Sequence, residues 1–290
     1  MSQPAAQAPA TQAPAAQSPA TVAMSHRVRG DGPPLLLCAG TGYNGGTWPD
    51  WMVDPLAEHF SVVTFDYRGT GQTPGVAGEY TTRLFAADVA GLIDQLGKGP
   101  AHVLGHSMGG RVAQWVALDH PDRVRSLVLA ASGPGEYRPG VEPITGIPPS
   151  AAAEMIERGY QDYMTYQIST TFFTGEYIAA RPDVVRWLVE AYWTGRPDLR
   201  NYLKHVAARQ GHRTADRLDD ITQPTLILVG DQDTHVGGTG SHLDQSRYLA
   251  TRLRNNRYVE VPGAAHGYFW SHTDVSVPAL VDFLQGQGRG

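Results

Sequence analysis

The sequence has a single cysteine, Cys38, so no disulfide can close within the chain and a cysteine-built zinc site is excluded. Lys and Arg number 23 against 28 Asp and Glu, a formal net charge of −5, and no long basic run occurs. Neutralising phosphates requires concentrated positive charge, so neither a nucleic acid nor an anionic membrane is an expected partner. The one short basic stretch, Arg252 to Arg257, alternates with Leu and Asn and reads as the solvated end of a helix. No segment approaches the roughly 18 consecutive apolar residues of a membrane-spanning helix. The composition, 41% hydrophobic and 18% charged over 290 residues, is that of a globular protein able to bury a sizeable core.

Residues 1–24 are low in complexity, with Pro4, Pro9, Pro14 and Pro19 recurring every five residues among Ala and Gln. The segment lacks the basic start and uninterrupted apolar run of a secretory signal, and such a composition cannot bury a core. It reads as a disordered leader or spacer outside the fold. With the lone cysteine, this leads to the expectation of a cytoplasmic protein.

From about residue 25 short apolar runs alternate with longer amphipathic ones. The short runs are Leu35–Cys38, Val62–Phe65, His102–Leu104, Leu127–Leu129, Thr225–Val229 and Tyr258–Val261, Leu-rich and β-branched without strict alternation. That pattern suits strands buried on both faces. Helix candidates lie at 48–58, 81–97, 108–119, 241–254 and 274–285. Strand and helix in turn predict a mostly parallel sheet covered on both sides. The alternation breaks after residue 136, and a helical cap over 137–215 is expected as an insertion between core segments 25–136 and 216–290.

Between the strand ending at Leu104 and the next helix stands Gly105-His106-Ser107-Met108-Gly109. This is G-x-S-x-G in strand–turn–helix context, where the turn is so tight that neighbouring side chains must be absent and the serine hydroxyl projects alone. A nucleophilic serine needs a base and a group to orient that base. Two strand ends downstream supply candidates: Gly230-Asp231-Gln232-Asp233, and Pro262-Gly263-Ala264-Ala265-His266. Both follow predicted parallel strands, on the edge of an open α/β sheet where sites assemble.

With these residues in the order serine, acid, histidine, the sequence resembles the α/β-hydrolase superfamily from about Ser25 to Leu284. The resemblance implies an α/β-hydrolase fold and places the acid at Asp233, with Asp231 as the alternative, and the base at His266. It also implies an oxyanion hole from the backbone N–H groups of Met108 and Thr41. The loop here reads Ala39-Gly40-Thr41, without the His-Gly start common in the family.

The same loop contains a competing motif. Gly40-Thr41-Gly42-Tyr43-Asn44-Gly45 matches G-x-G-x-x-G after a strand, and Asp66 ends the next strand, as in a dinucleotide-binding unit. Against a NAD-dependent oxidoreductase, Gly46 and Pro49 disturb the helix that should begin inside the motif, and Ser107, Asp233 and His266 would have no role. Gly105 to Arg111 lacks the Lys-Ser/Thr ending of a phosphate loop. The eleven histidines form no dense ligand pattern, and His102 and His106 straddle a strand and its turn. No cofactor or metal is expected.

The cap segment is rich in aromatics. Tyr43, His106, Phe172, Phe173, Trp187 and Trp193 are candidates to line a pocket for a small, mainly apolar, neutral substrate. The expected reaction is hydrolysis of a carboxylic ester or lactone through an acyl-enzyme. The scaffold also admits C–C bond hydrolysis, thioester hydrolysis and cofactor-free perhydrolysis, and a slow-turnover ligand receptor is an alternative of another class. The oligomeric state is left open.

Overall fold

A computed structural model of the chain describes residues 22–136, 138, 149–234 and 240–287. The Pro-rich leader lies outside these residues apart from its last three positions, as does most of 137–148 at the start of the expected cap. In chain order the elements are β1 (His26–Arg29), β2 (Pro34–Cys38), α1 (Asp50–Ala57), β3 (Ser61–Phe65), α2 (Thr82–Leu96), β4 (Ala101–His106), α3 (Met108–Asp119) and β5 (Val124–Ala130). Then follow α4 (Pro149–Thr171), α5 (Gly175–Ala180), α6 (Pro182–Thr194), α7 (Leu199–Gln210), β6 (Thr225–Gly230), α8 (His242–Arg252), β7 (Asn256–Val261), α9 (Tyr268–Ser271) and α10 (Thr273–Gly286).

The strands form one sheet in the order β1-β3-β2-β4-β5-β6-β7. All neighbours pair in parallel except β1, which runs antiparallel to β3. Leu35 to Cys38, Leu127 to Ala130 and Leu226 to Val229 are fully buried, because helices cover both faces of the sheet. The five helices expected from the sequence correspond to α1, α2, α3, α8 and α10, to within two residues at each end. β1 was not anticipated. Its sequence, His-Arg-Val-Arg around one apolar residue, offers no periodicity, and its charges suit an exposed edge that must resist further pairing.

Local chemistry sets the helix limits. Thr81 caps α2 by accepting the Leu84 N–H at 2.9 Å. Helices α4 to α7 occupy the break between β5 and β6, and α4 is kinked at Gly159. Arg68, at the turn after β3, forks onto Asp88 of α2 with two hydrogen bonds of 2.7 Å, both side chains being fully buried. The Arg68 carbonyl also accepts Nε2–H of His205 from α7, which ties the inserted helices to the sheet. Cys38 is buried against Tyr67, and burial pushes its thiol up to about 12, so it packs as an inert apolar side chain. Among the described residues no helix is long and apolar enough to cross a membrane.

Five buried histidines make the fold sensitive to acid. Desolvation pushes His102, His205 and His242 down from 6.5 to about 4, and His106 and His212 well below their ordinary value. Between those limits the unfolded chain takes up protons that the folded one refuses, so stability is fully present above pH 6.5 and is lost as the pH falls toward 4. Tm measured by calorimetry should therefore drop most steeply between pH 6.5 and about 4; a flat profile across that window would contradict the account.

Candidate active site

The strand β4 delivers the chain to Ser107, and α3 starts at the next residue. Ser107 has φ 57° and ψ −117°, a conformation that L-residues adopt only under constraint. The constraint is visible on both sides. A Cβ on Gly105 would fall on the backbone of Gly109, and one on Gly109 would fall on the Cys38 carbonyl at the end of β2. Three hydrogen bonds hold the turn: Ser107 N–H to the Ala130 carbonyl at 2.8 Å, and Ser132 Oγ–H and Gly110 N–H to the Ser107 carbonyl at 2.9 and 3.1 Å. Met108 is fully buried, and its N–H belongs to the first turn of α3, where amide groups lack intrahelical acceptors.

The loop after β2 crosses the same point. A Cβ on Gly40 would lie 3.5 Å from the Ser107 Cβ, so Thr41 follows within one residue of the serine's surroundings. Thr41 is partly buried and its Oγ1 has no hydrogen-bond partner. Asp66, the acid of the dinucleotide-like reading, accepts the N–H of Gly45 at 2.9 Å and of Gln72 at 2.8 Å. Its carboxylate ties two loops together. Gly45 to Thr47 make a single tight turn and α1 begins only after Pro49, so no helix opens inside the Gly-rich motif to receive a pyrophosphate.

Asp233 and His266 meet beyond β6 and β7. Asp233 Oδ2 lies 2.8 Å from His266 Nδ1, and both residues are buried. Asp231 points elsewhere and accepts the Gly263 N–H at 2.8 Å. A third side chain, unforeseen in the sequence, completes the cluster: His242, the first residue of α8, places Nδ1 3.2 Å from Asp233 Oδ1. Its ring stacks on that of His266 with centroids 4.4 Å apart. Desolvation alone would raise the Asp233 carboxyl, but the imidazoles of His266 and His242 outweigh it and hold the group well below the usual carboxylate range. An ionised Asp233 is acceptor only, so each Nδ1 that faces it is the donor, and His266 Nε2 takes no part in that bond. Asp233, His242 and His266 also have donor atoms within 4.8 Å of one another, the spacing of a possible cation site, but the Nδ1–H bonds to the carboxylate occupy those nitrogens.

Ser107 Oγ makes no hydrogen bond among the described residues, so its contact with the base is a matter for the substrate complex, where such bonds commonly tighten. His106 links the two halves instead. Its Nε2–H donates to the His266 carbonyl at 3.0 Å, and the two rings are 4.5 Å apart. Phe172 lies edge-on to His266 at 5.0 Å, and its carbonyl accepts the Gly267 N–H at 2.6 Å. Tyr43 stacks on Phe172 at 5.3 Å.

The other aromatic candidates make different contacts. Phe173 packs on Tyr177 at 5.3 Å and against Gly267. Trp187 meets Trp51 at 4.8 Å and opens onto clefts that do not contain Ser107. Trp193 packs inside the inserted helices, between Tyr160 and Tyr192, with Nε1–H on Thr165. The amphipathic spacing that marks these rings for burial carries no information about which neighbour buries them.

Substitutions rank the acid cluster. Asp233→Asn should lower kcat by about 10⁴ because the imidazole loses its oriented tautomer. Asp231→Asn should cost little, and an equal loss there would overturn the assignment. His242→Ala should cost on the order of 10- to 100-fold through one lost charge-assisted hydrogen bond, with partial recovery in His242→Asn, whose amide can still donate. Recovery identifies positioning, and equal losses in both variants would refute it.

Residues 33–273 match the family described as the alpha/beta hydrolase fold. RutD of Caulobacter vibrioides, named as a proposed carbamate hydrolase, is 29% identical over 253 residues, covering 87% of this chain and 90% of that protein. BpoC of Mycobacterium tuberculosis, named as a proposed non-heme bromoperoxidase, is 30% identical over 270 residues, covering 91% of this chain and 98% of its own. The enol-lactonase of Burkholderia xenovorans LB400 superposes with a TM-score of 0.76 at 24% identity, over 90% of this chain and 96% of that one. With its parallel sheet, its constrained serine turn and a match that spans most of its length, this chain belongs to the alpha/beta hydrolase family.

Proposed function

We propose that the protein is a serine hydrolase that cleaves a small carboxylic ester or lactone through an acyl-enzyme intermediate. The observation that carries this reading is the buried Asp233–His266 hydrogen bond of 2.8 Å, whose histidine is joined through His106 to the constrained turn of Ser107. In the reaction, His266 Nε2 takes the Ser107 hydroxyl proton as Oγ attacks the carbonyl carbon. Asp233 steadies the resulting imidazolium, and the N–H groups of Met108 and Thr41 receive the oxyanion. Collapse expels the alcohol, which takes the proton from His266. A water, deprotonated by the same nitrogen, then releases the acid and restores Ser107.

The inserted helices α4 to α7 serve as a cap over this site, and a small molecule is the partner. The names of relatives include carbamate and peroxidase activities as well as a lactonase. The same serine and oxyanion donors would act on any acyl carbonyl, so substrate choice falls to the cap and the loops. Hydrolysis is favoured over peroxidase chemistry because acyl transfer to water needs no added oxidant.

Treatment with a fluorophosphonate, followed by intact mass and peptide mapping, tests the nucleophile without knowledge of the substrate. One adduct on Ser107 is expected, absent in Ser107→Ala, and kcat for any ester found should fall in that variant on the order of 10⁶-fold, as in other serine triads. Labelling elsewhere, or unchanged turnover by Ser107→Ala, would sink the proposal.

A further inference from the structure

Trp187, expected from the sequence to line the substrate pocket, lines a different cavity. A cleft of about 530 Å³ lies between α1, α5, α6 and α9, walled by Trp51, Tyr177, Trp187 and Trp270, with Arg181, Asp183 and Ser271 also lining it. Neither Ser107 nor His266 borders it. Clefts of roughly 300–1,000 Å³ with mainly apolar and aromatic walls are where small molecules bind. Trp270 forms a buried wall, and its ring lies 5.5 Å from that of His106 and 5.9 Å from that of Phe172. One indole thus borders both the cleft and the surroundings of the proposed base.

The rings of the cleft are held in place before any ligand arrives. Trp51 Nε1–H donates to the Trp270 carbonyl at 3.3 Å, and Trp270 Nε1–H donates to the Thr47 carbonyl at 2.8 Å. Trp51 and Trp187 meet with centroids 4.8 Å apart and planes 61° apart, which makes a corner of two indoles, yet Trp51 is 39% exposed. Tyr177 is stacked on Phe173 at 5.3 Å. The polar groups are largely taken. Arg181 Nε and Nη2 fork onto Asp183 at 3.0 and 2.8 Å, so an ion of either sign would meet a like charge beside an opposite one. Ser271 Oγ lies 3.1 Å from the Gly267 carbonyl and 2.7 Å from His272 Nδ1. A sugar needs a partner for each hydroxyl, and here the Trp51 and Trp270 N–H groups, Ser271 and the Arg181–Asp183 fork are already bonded. Ring faces and ring edges remain, and these suit another ring.

We propose that this cleft is a second small-molecule site, which takes a neutral, planar aromatic ligand in the corner of Trp51 and Trp187. The ligand ring meets one indole by its face and the other by its edge, the arrangement that the two indoles already adopt toward each other. Because hydrogen bonds fix Trp51 and Trp270, little ordering is needed on binding. The inference rests on the walls of the cleft and not on the serine-hydrolase reading, so it stands whichever bond Ser107 attacks.

The test is fluorine NMR of the full chain carrying 5-fluorotryptophan, with the six tryptophan lines assigned by single Trp→Phe substitutions. The probe is 2-naphthol, neutral at pH 7, and the matched controls are its saturated analogue decahydro-2-naphthol and the anion 2-naphthoate. On titration with 2-naphthol the Trp51 and Trp187 lines should move together with one Kd, while those of Trp115 and Trp193, which lie outside the cleft, stay in place. Both controls should bind more weakly. Trp187→Leu, read at the Trp51 line, and Trp51→Leu, read at the Trp187 line, should each raise Kd by about 3- to 10-fold, the loss of one aromatic contact. The exposed Trp51 keeps the test open where Trp187→Leu fails to fold. Unmoved Trp51 and Trp187 lines at the solubility limit of 2-naphthol would overturn the site, as would equal binding of either control. Shifts confined to Trp48, beside His106, would place the ring elsewhere and overturn it too, and so would a Kd indifferent to both substitutions.

Discussion

The closeness of α3 to the ends of β2 and β4 is the constraint on which the rest of the site depends. Backbone meets backbone at Gly105, Gly109 and Cys38 with no room for a Cβ, and the chain can turn from strand to helix there only by forcing Ser107 to positive φ. Such strain persists only where the surroundings over-determine it. Here they do, through the parallel pairing of β2 with β4 and of β4 with β5, and through bonds from Ala130, Ser132 and Gly110. The same approach brings the Gly40–Thr41 loop beside the serine, so the proposed nucleophile and the proposed oxyanion donors are consequences of one packing contact.

Electrostatics organises the opposite side. One buried carboxylate, Asp233, accepts from two imidazoles and stays ionised because of them. Removing a buried charge from water costs several kcal/mol, and a carboxylate with both oxygens satisfied by N–H donors offsets that cost better than one left half bonded. His242 is therefore part of what keeps Asp233 ionised beside His266. Arg111 shows the converse, a buried guanidinium whose Nη2 finds no partner among the described residues.

The inserted helices are bound to the core by polar bonds as well as by apolar packing. The Phe172 carbonyl holds the loop of His266, the Arg68 carbonyl holds His205, and the Arg209 carbonyl holds Arg111. Each of these bonds joins a residue of the insertion to one that shapes the sheet edge or the site.

The sequence alone determined the strand–helix alternation, five of the helices and the candidacy of Ser107, Asp233 and His266, because periodicity and strand-end turns are local and written along the chain. It could not place β1, whose pairing depends on the exposed edge of β3 and not on its own pattern. It also could not choose among Phe172, Phe173, Trp187 and Trp193, since burial by an aromatic neighbour looks the same as burial by a substrate. Only the tertiary structure brought His242 to Asp233 and stood Arg111 against Arg209, 98 residues away. Contacts between elements so distant in the chain are decided by how helices dock on a completed sheet, and no local spacing encodes them.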